Sequence, residues 1–177
     1  MIQTLLRAID AVCLSAAYVA CILLALMAIL GMVEIASRGL FNHSIPIAFE
    51  FSRYMLAMTM FLGSSWALRN GGHIRVTLLF EVLKPKSRRV VDFVATSFAL
   101  VVSLYLSRAI IVFTATTYER GSLSFYPSET PLAWPQTALA IGIALISLAL
   151  LARLIRIIIN EPTESSKAGA GLEETTI

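Results

Sequence analysis

The sequence predicts an all-α membrane protein: four transmembrane helices plus a short amphipathic interfacial helix in the loop between the second and third. Three observations carry this. Only 14% of the 177 residues are charged while 58% are hydrophobic, against roughly a quarter charged in an average soluble domain. The charges cluster and leave four long, predominantly apolar runs, at 12–35, 45–68, 90–117 and 132–159. Basic residues then gather at alternate ends of those runs rather than along one face. A soluble fold of this size would still need polar groups to cover itself. Lipid is the solvent that suits the pattern.

Each run meets the requirement of about 20 residues for crossing a ~30 Å hydrocarbon core at about 1.5 Å per residue. Helices are the only backbone that satisfies itself there, and period-2 alternation is absent. The first run is longer than the apolar core of a signal peptide and lacks a small-x-small cleavage site, so it is read as an uncleaved span. Its two cysteines, Cys13 and Cys21, lie about two helical turns apart, too far for a disulfide. The run 45–68 follows a short connection, 39–44, which makes the first two helices antiparallel neighbours.

Between the second and third runs lies a basic loop. It holds Arg69, Arg75, Lys84, Lys86, Arg88 and Arg89. Within it, residues 74–83 are too short to span and fit a helix lying at the membrane surface. The third run is long enough to tilt. The connection 118–131 contains Gly121, Pro127 and Pro131 among aromatic residues, which is loop chemistry beside an interfacial belt. Pro135 falls in the first turn of the fourth helix, where a missing N–H costs little. Residues 1–160 thus form one membrane domain, and 161–177, rich in Glu, Ser, Gly and Thr, read as a disordered cytoplasmic tail.

Arg7 before the first run and Arg153, Arg156 and Lys167 at the chain's end fall on the same side as the basic loop. The positive-inside rule then places both termini in the cytoplasm. The same distribution argues against nucleic acid as the partner behind the net charge of +3.

Ionisable groups inside spans are costly and therefore informative. Glu34 and Arg38 are four apart, and Glu50 and Arg53 three apart, both near the outer end. Arg108 lies about 13 Å below the outer end of the third span. If the first three helices are adjacent, these five meet at similar depth. Their near-cancelling charges favour structural ion pairs or a partner interface over a substrate or proton path. Trp66, Trp134, His73 and Arg75 read as interfacial or lipid-headgroup contacts. His43 and His73 fall on opposite sides, so a haem between helices has no ligand pair. No nucleophile with a visible base, phosphate loop or paired Cys motif is present, so no catalytic, substrate-binding or metal residue is assigned.

The run Glu50-Phe51-Ser52-Arg53-Tyr54, then Phe61-Leu62-Gly63, Ala67-Leu68-Arg69 and Gly72-His73-Ile74-Arg75-Val76 resembles the small membrane subunit, DctQ type, of tripartite ATP-independent periplasmic (TRAP) transporters. The resemblance covers nearly the whole chain. One departure is Thr77, where the family often has Asp. The resemblance implies a scaffold and anchoring role beside a large elevator subunit and a periplasmic substrate-binding protein. Together these import an organic anion, a carboxylate or sulfonate, with sodium. Sodium is then expected on the large subunit, with no cofactor in this chain. It also implies assembly rather than substrate contact for Glu50, Arg53, His73 and Arg75. The alternative is a self-sufficient four-helix proton-coupled multidrug exporter. That reading needs a deep titrating carboxylate, and Glu34 lies near the outer end beside Arg38.

Overall fold

A computed structural model describes residues 2–70 and 85–159. The predicted interfacial helix at 74–83, with His73 and Arg75, and the tail at 161–177 lie outside the described residues. Among the described residues, four helices follow in order: α1 (Ile2–Phe41), α2 (Pro46–Arg69), α3 (Pro85–Glu119) and α4 (Ala133–Ile159). Among the described residues the backbone is helical apart from the connections, with a single isolated bridge between Leu123 and Pro131. Three of the helices, α1, α3 and α4, are long and apolar enough to cross a membrane. The 24-residue α2 is diluted by Glu50, Arg53 and Arg69.

α1 begins ten residues before the apolar run at 12, because Leu6 and Ile9 continue the buried stripe of Cys13, Ala16 and Ala20. Pro46 sits at the start of α2, where its fixed φ suits a helix entry. α3 ends in a Schellman motif: Ser122 N–H reaches Thr117 O at 3.2 Å, and Gly121 N–H reaches Tyr118 O at 3.0 Å. Gly121 takes the left-handed φ of +59° that this stop requires.

Packing runs α1 on α2, α2 on α4 and α4 on α3, with a smaller contact of α1 with α4. The condition under which the five ionisable groups would meet, adjacency of the first three helices, is not satisfied: the structure packs α3 against α4, with at most marginal contact to α1 and α2.

Small residues allow the close approaches, as expected where lipid removes the hydrophobic drive for helix association. A Cβ at Gly142 of α4 would lie 2.7 Å from Phe61 Cβ and 3.0 Å from the Phe61 carbonyl carbon in α2. Ala16 and Ala20 of α1 pack with Leu62 of α2, and Thr59 Oγ1 donates to Ala20 O at 3.4 Å. Midway along α3 and α4, Ser103 and Ser147 share a buried hydrogen bond of 2.7 Å.

Candidate functional site

Polar chemistry is concentrated at the two ends of the bundle. One end, the hairpin end, carries the connections α1–α2 and α3–α4. There Glu34, 6% exposed, accepts from Arg38 Nη2 at 2.7 Å, from Ser44 Oγ at 2.9 Å and from the Ile45 backbone N–H at 2.7 Å. Ile45 is the N-cap residue of α2, and its own side chain supplies no cap hydrogen bond. The carboxylate of the preceding helix therefore holds the entry to the next, a position where negative charge also meets the helix dipole favourably. Arg38 in turn lies over the Phe49 ring at 5.6 Å. Ser37 Oγ donates to His43 O at 2.9 Å and closes the turn.

Glu50 is 1% exposed. The spacing of Glu50 and Arg53 suggests a local pair, but the structure separates them. Glu50 accepts from Tyr54 Oη at 2.8 Å and from Ser128 Oγ, and Ser128 shares a 2.9 Å hydrogen bond with Thr130. Arg53 turns instead to Tyr126, donating to its hydroxyl and lying 5.4 Å from its ring centroid. The α3–α4 connection supplies both sets of partners. It is closed on itself by Ser124 N–H to Thr130 O at 2.9 Å and Leu132 N–H to Ser122 O at 3.1 Å. This loop folds over the start of α2, giving Glu50 its neutral donors and leaving Arg53 at the rim.

Arg108 does not join these groups. It is exposed on α3, away from α1 and α2. Trp66 and Trp134 are exposed near opposite ends of the bundle, as interfacial indoles are in membrane helices.

The other end holds ion pairs that sequence reasoning missed. Asp10 of α1 accepts from Arg156 of α4 at 2.8 and 2.9 Å. The same carboxylate lies 2.7 Å from Arg69 Nη2 of α2, and the Asp10 backbone oxygen accepts from Arg69 Nη1 at 3.3 Å. One aspartate thus ties three helices. Asp92 of α3 meets Arg153 of α4 at 2.5 Å, and Arg89 caps the end of α4 by donating to Ile157 O at 2.7 Å. The basic residues were read as counters of membrane side, which hid their partners. The available signal was an acid in each neighbouring segment of an otherwise basic end: Asp10 beside Arg7, and Asp92 beside Arg88 and Arg89.

Among the described residues, no three His, Cys, Asp or Glu side chains come together to hold a metal ion. Cys13 and Cys21 are both free. The described groups cross-link helices. They fix helix ends to each other and a loop to a helix, through carboxylates that accept from hydroxyl, guanidinium and backbone donors.

Comparison with known proteins supplies a family. Residues 27–160 match the family profile described as Tripartite ATP-independent periplasmic transporters, DctQ component. Over 150 residues the chain is 31% identical to a protein of Haemophilus influenzae assigned as a TRAP transporter small permease, covering 84% of this chain and 86% of that one. Over 122 residues it is 25% identical to the ectoine TRAP transporter small permease protein TeaB of Halomonas elongata, covering 69% of this chain and 60% of that protein.

Proposed function

The chain belongs to the DctQ family of TRAP transporter small permease subunits, and from that premise we propose that it is the static scaffold beside a large subunit that does the moving. It is a multi-pass inner-membrane component of a transporter. In the proposed complex, the large subunit carries an organic anion, a carboxylate or sulfonate, by an elevator motion driven by sodium. A periplasmic binding protein delivers the anion. This chain holds the moving subunit in place, with four spans and both termini in the cytoplasm. Its surface helix and Trp residues anchor it at the two interfaces.

The observation that carries the reading is the locking of the bundle at both ends. Asp10 joins α1, α2 and α4, while Glu50 joins α2 to the α3–α4 loop. A subunit that itself alternated between two faces would need at least one such tie to break in each cycle. Transporters that act alone usually build their midplane site from broken helices, whereas α1 to α4 each run continuous.

Co-expression of the affinity-tagged chain with a large TRAP permease subunit from the same organism provides the test. Recovery of the large subunit in stoichiometric amount from mild detergent is expected. Recovery of the chain alone, under conditions that keep both proteins folded, would contradict the scaffold role.

A further inference from the structure

α3 presents two faces of opposite character. One holds Asp92, Thr96, Ser103 and Ser107, all buried. Two of them bond directly to α4, through Asp92–Arg153 and Ser103–Ser147. At about 100° per residue, the residues diametrically opposite are Val94, Phe98, Val101, Tyr105, Arg108 and Val112. All six are exposed. Their spacing alternates four and three, the interval that brings side chains into register along a packed helix pair. Lipid alone would accept the five uncharged members.

Arg108 is the exception. An arginine at this depth normally faces the interior of its own bundle or pairs with an acid. Here it points away from α4, the helix on which α3 packs, and it has no hydrogen-bond or ion-pair partner among the described residues. Within this stripe it is flanked by Tyr105 and Val112, so neighbours on the same face offer no carboxylate. The charge asks for an anion from outside the chain.

We propose that this stripe of α3 is the seat for a carboxylate-bearing membrane helix of the large permease subunit, with Arg108 paired to its Asp or Glu. The assignment rests on the scaffold reading above and adds to it the face, the anchoring residue and the chemistry of the partner. Apolar members of the stripe give the helix its register. Arg108 selects the one partner whose acid lies at matching depth, because any other leaves a charge unpaired.

The test uses the photoreactive amino acid p-benzoylphenylalanine, introduced at Tyr105 on the stripe and, separately, at Tyr18 on the exposed side of α1, in the full chain co-expressed with the large subunit. An aromatic probe in place of an exposed tyrosine preserves folding. Illumination of membranes is expected to give a Tyr105 adduct with the large subunit. Adding Arg108→Leu, an apolar side chain that a membrane helix tolerates, should reduce that adduct about tenfold, the equivalent of one lost charge-pair contact. Arg108→Lys should restore most of it. An adduct of twice this chain's mass, or with lipid only, would overturn the proposal. So would an undiminished adduct in Arg108→Leu. An adduct from Tyr18 but none from Tyr105 would leave the scaffold reading intact and refute the α3 seat. Failure of the unsubstituted chain to co-purify with the large subunit would refute the scaffold reading itself.

Discussion

Asp10 and Arg156, 146 positions apart in the chain, meet with both carboxylate oxygens within 2.9 Å of one guanidinium nitrogen. The pair links the first helix to the last, and Arg69 of α2 joins the same carboxylate at 2.7 Å. Removing one member of a partly buried charge group leaves the others uncompensated. Asp10→Ala is therefore expected to cost about 2–4 kcal/mol, read as a lowered Tm in detergent. Arg7→Ala, at an exposed position of the same helix, should be close to neutral. Equal effects of the two substitutions would mean that the cluster contributes nothing to cohesion.

Glu50 ties the loop to α2 rather than pairing with a cation. Glu50→Gln keeps the shape but replaces one of the two acceptor oxygens by an amide donor, which then faces the hydroxyl donor of either Tyr54 or Ser128. The expected result is faster backbone hydrogen exchange at Ser124 and Tyr126, with exchange in α4 unaltered. Tyr54→Phe, which removes one hydrogen bond of 2.8 Å, should give a smaller effect, about 1 kcal/mol. Unchanged exchange in the loop of Glu50→Gln would contradict the assigned role.

Gly142 faces Phe61 with no room for a methyl group. Gly142→Ala should force α2 and α4 apart and cost about 1–3 kcal/mol. Gly31, with open space around its Cβ direction, supplies the comparison. Gly31→Ala should be neutral or slightly stabilising, since alanine is the better helix former by roughly 1 kcal/mol. Thermal unfolding of both variants in the same detergent decides the matter.

The Ser103–Ser147 hydrogen bond is buried between α3 and α4. Interhelical hydrogen bonds of this kind average only about 0.6 kcal/mol in double-mutant cycles, since the alternative state also finds partners. A cycle over Ser103→Ala and Ser147→Ala should return a coupling near that value. A coupling several times larger would mean that the packing of α3 on α4 depends on this contact.

The helices were legible because their apolar runs are long and their punctuation is strong. The run 45–68 matches Pro46–Arg69 to within one residue at each end, and the run 132–159 ends with α4 at Ile159. What could not be read was adjacency. Nothing in the periodicity of α3 tells that it packs on α4 rather than beside α1, because its apolar face is the outward one and its small polar residues face inward. The Glu50–Arg53 spacing allowed a pair that the folded loop pre-empted, and a loop's reach is invisible to helical geometry. Asp10 and Asp92 were overlooked for a different reason. Counting arginines for orientation treats each as a lone charge, whereas a basic end of a bundle needs acids to bring its helices together.

The central claim is that this chain supports transport without performing it, and reconstituted flux tests it most directly. Proteoliposomes holding this chain alone, the large subunit alone, or both would be loaded with the binding protein outside and an inward sodium gradient. Organic-anion uptake is expected only when both membrane subunits and the binding protein are present. No proton-driven efflux of cationic drugs is expected from this chain alone. Measurable flux through vesicles containing this chain alone would contradict the central claim.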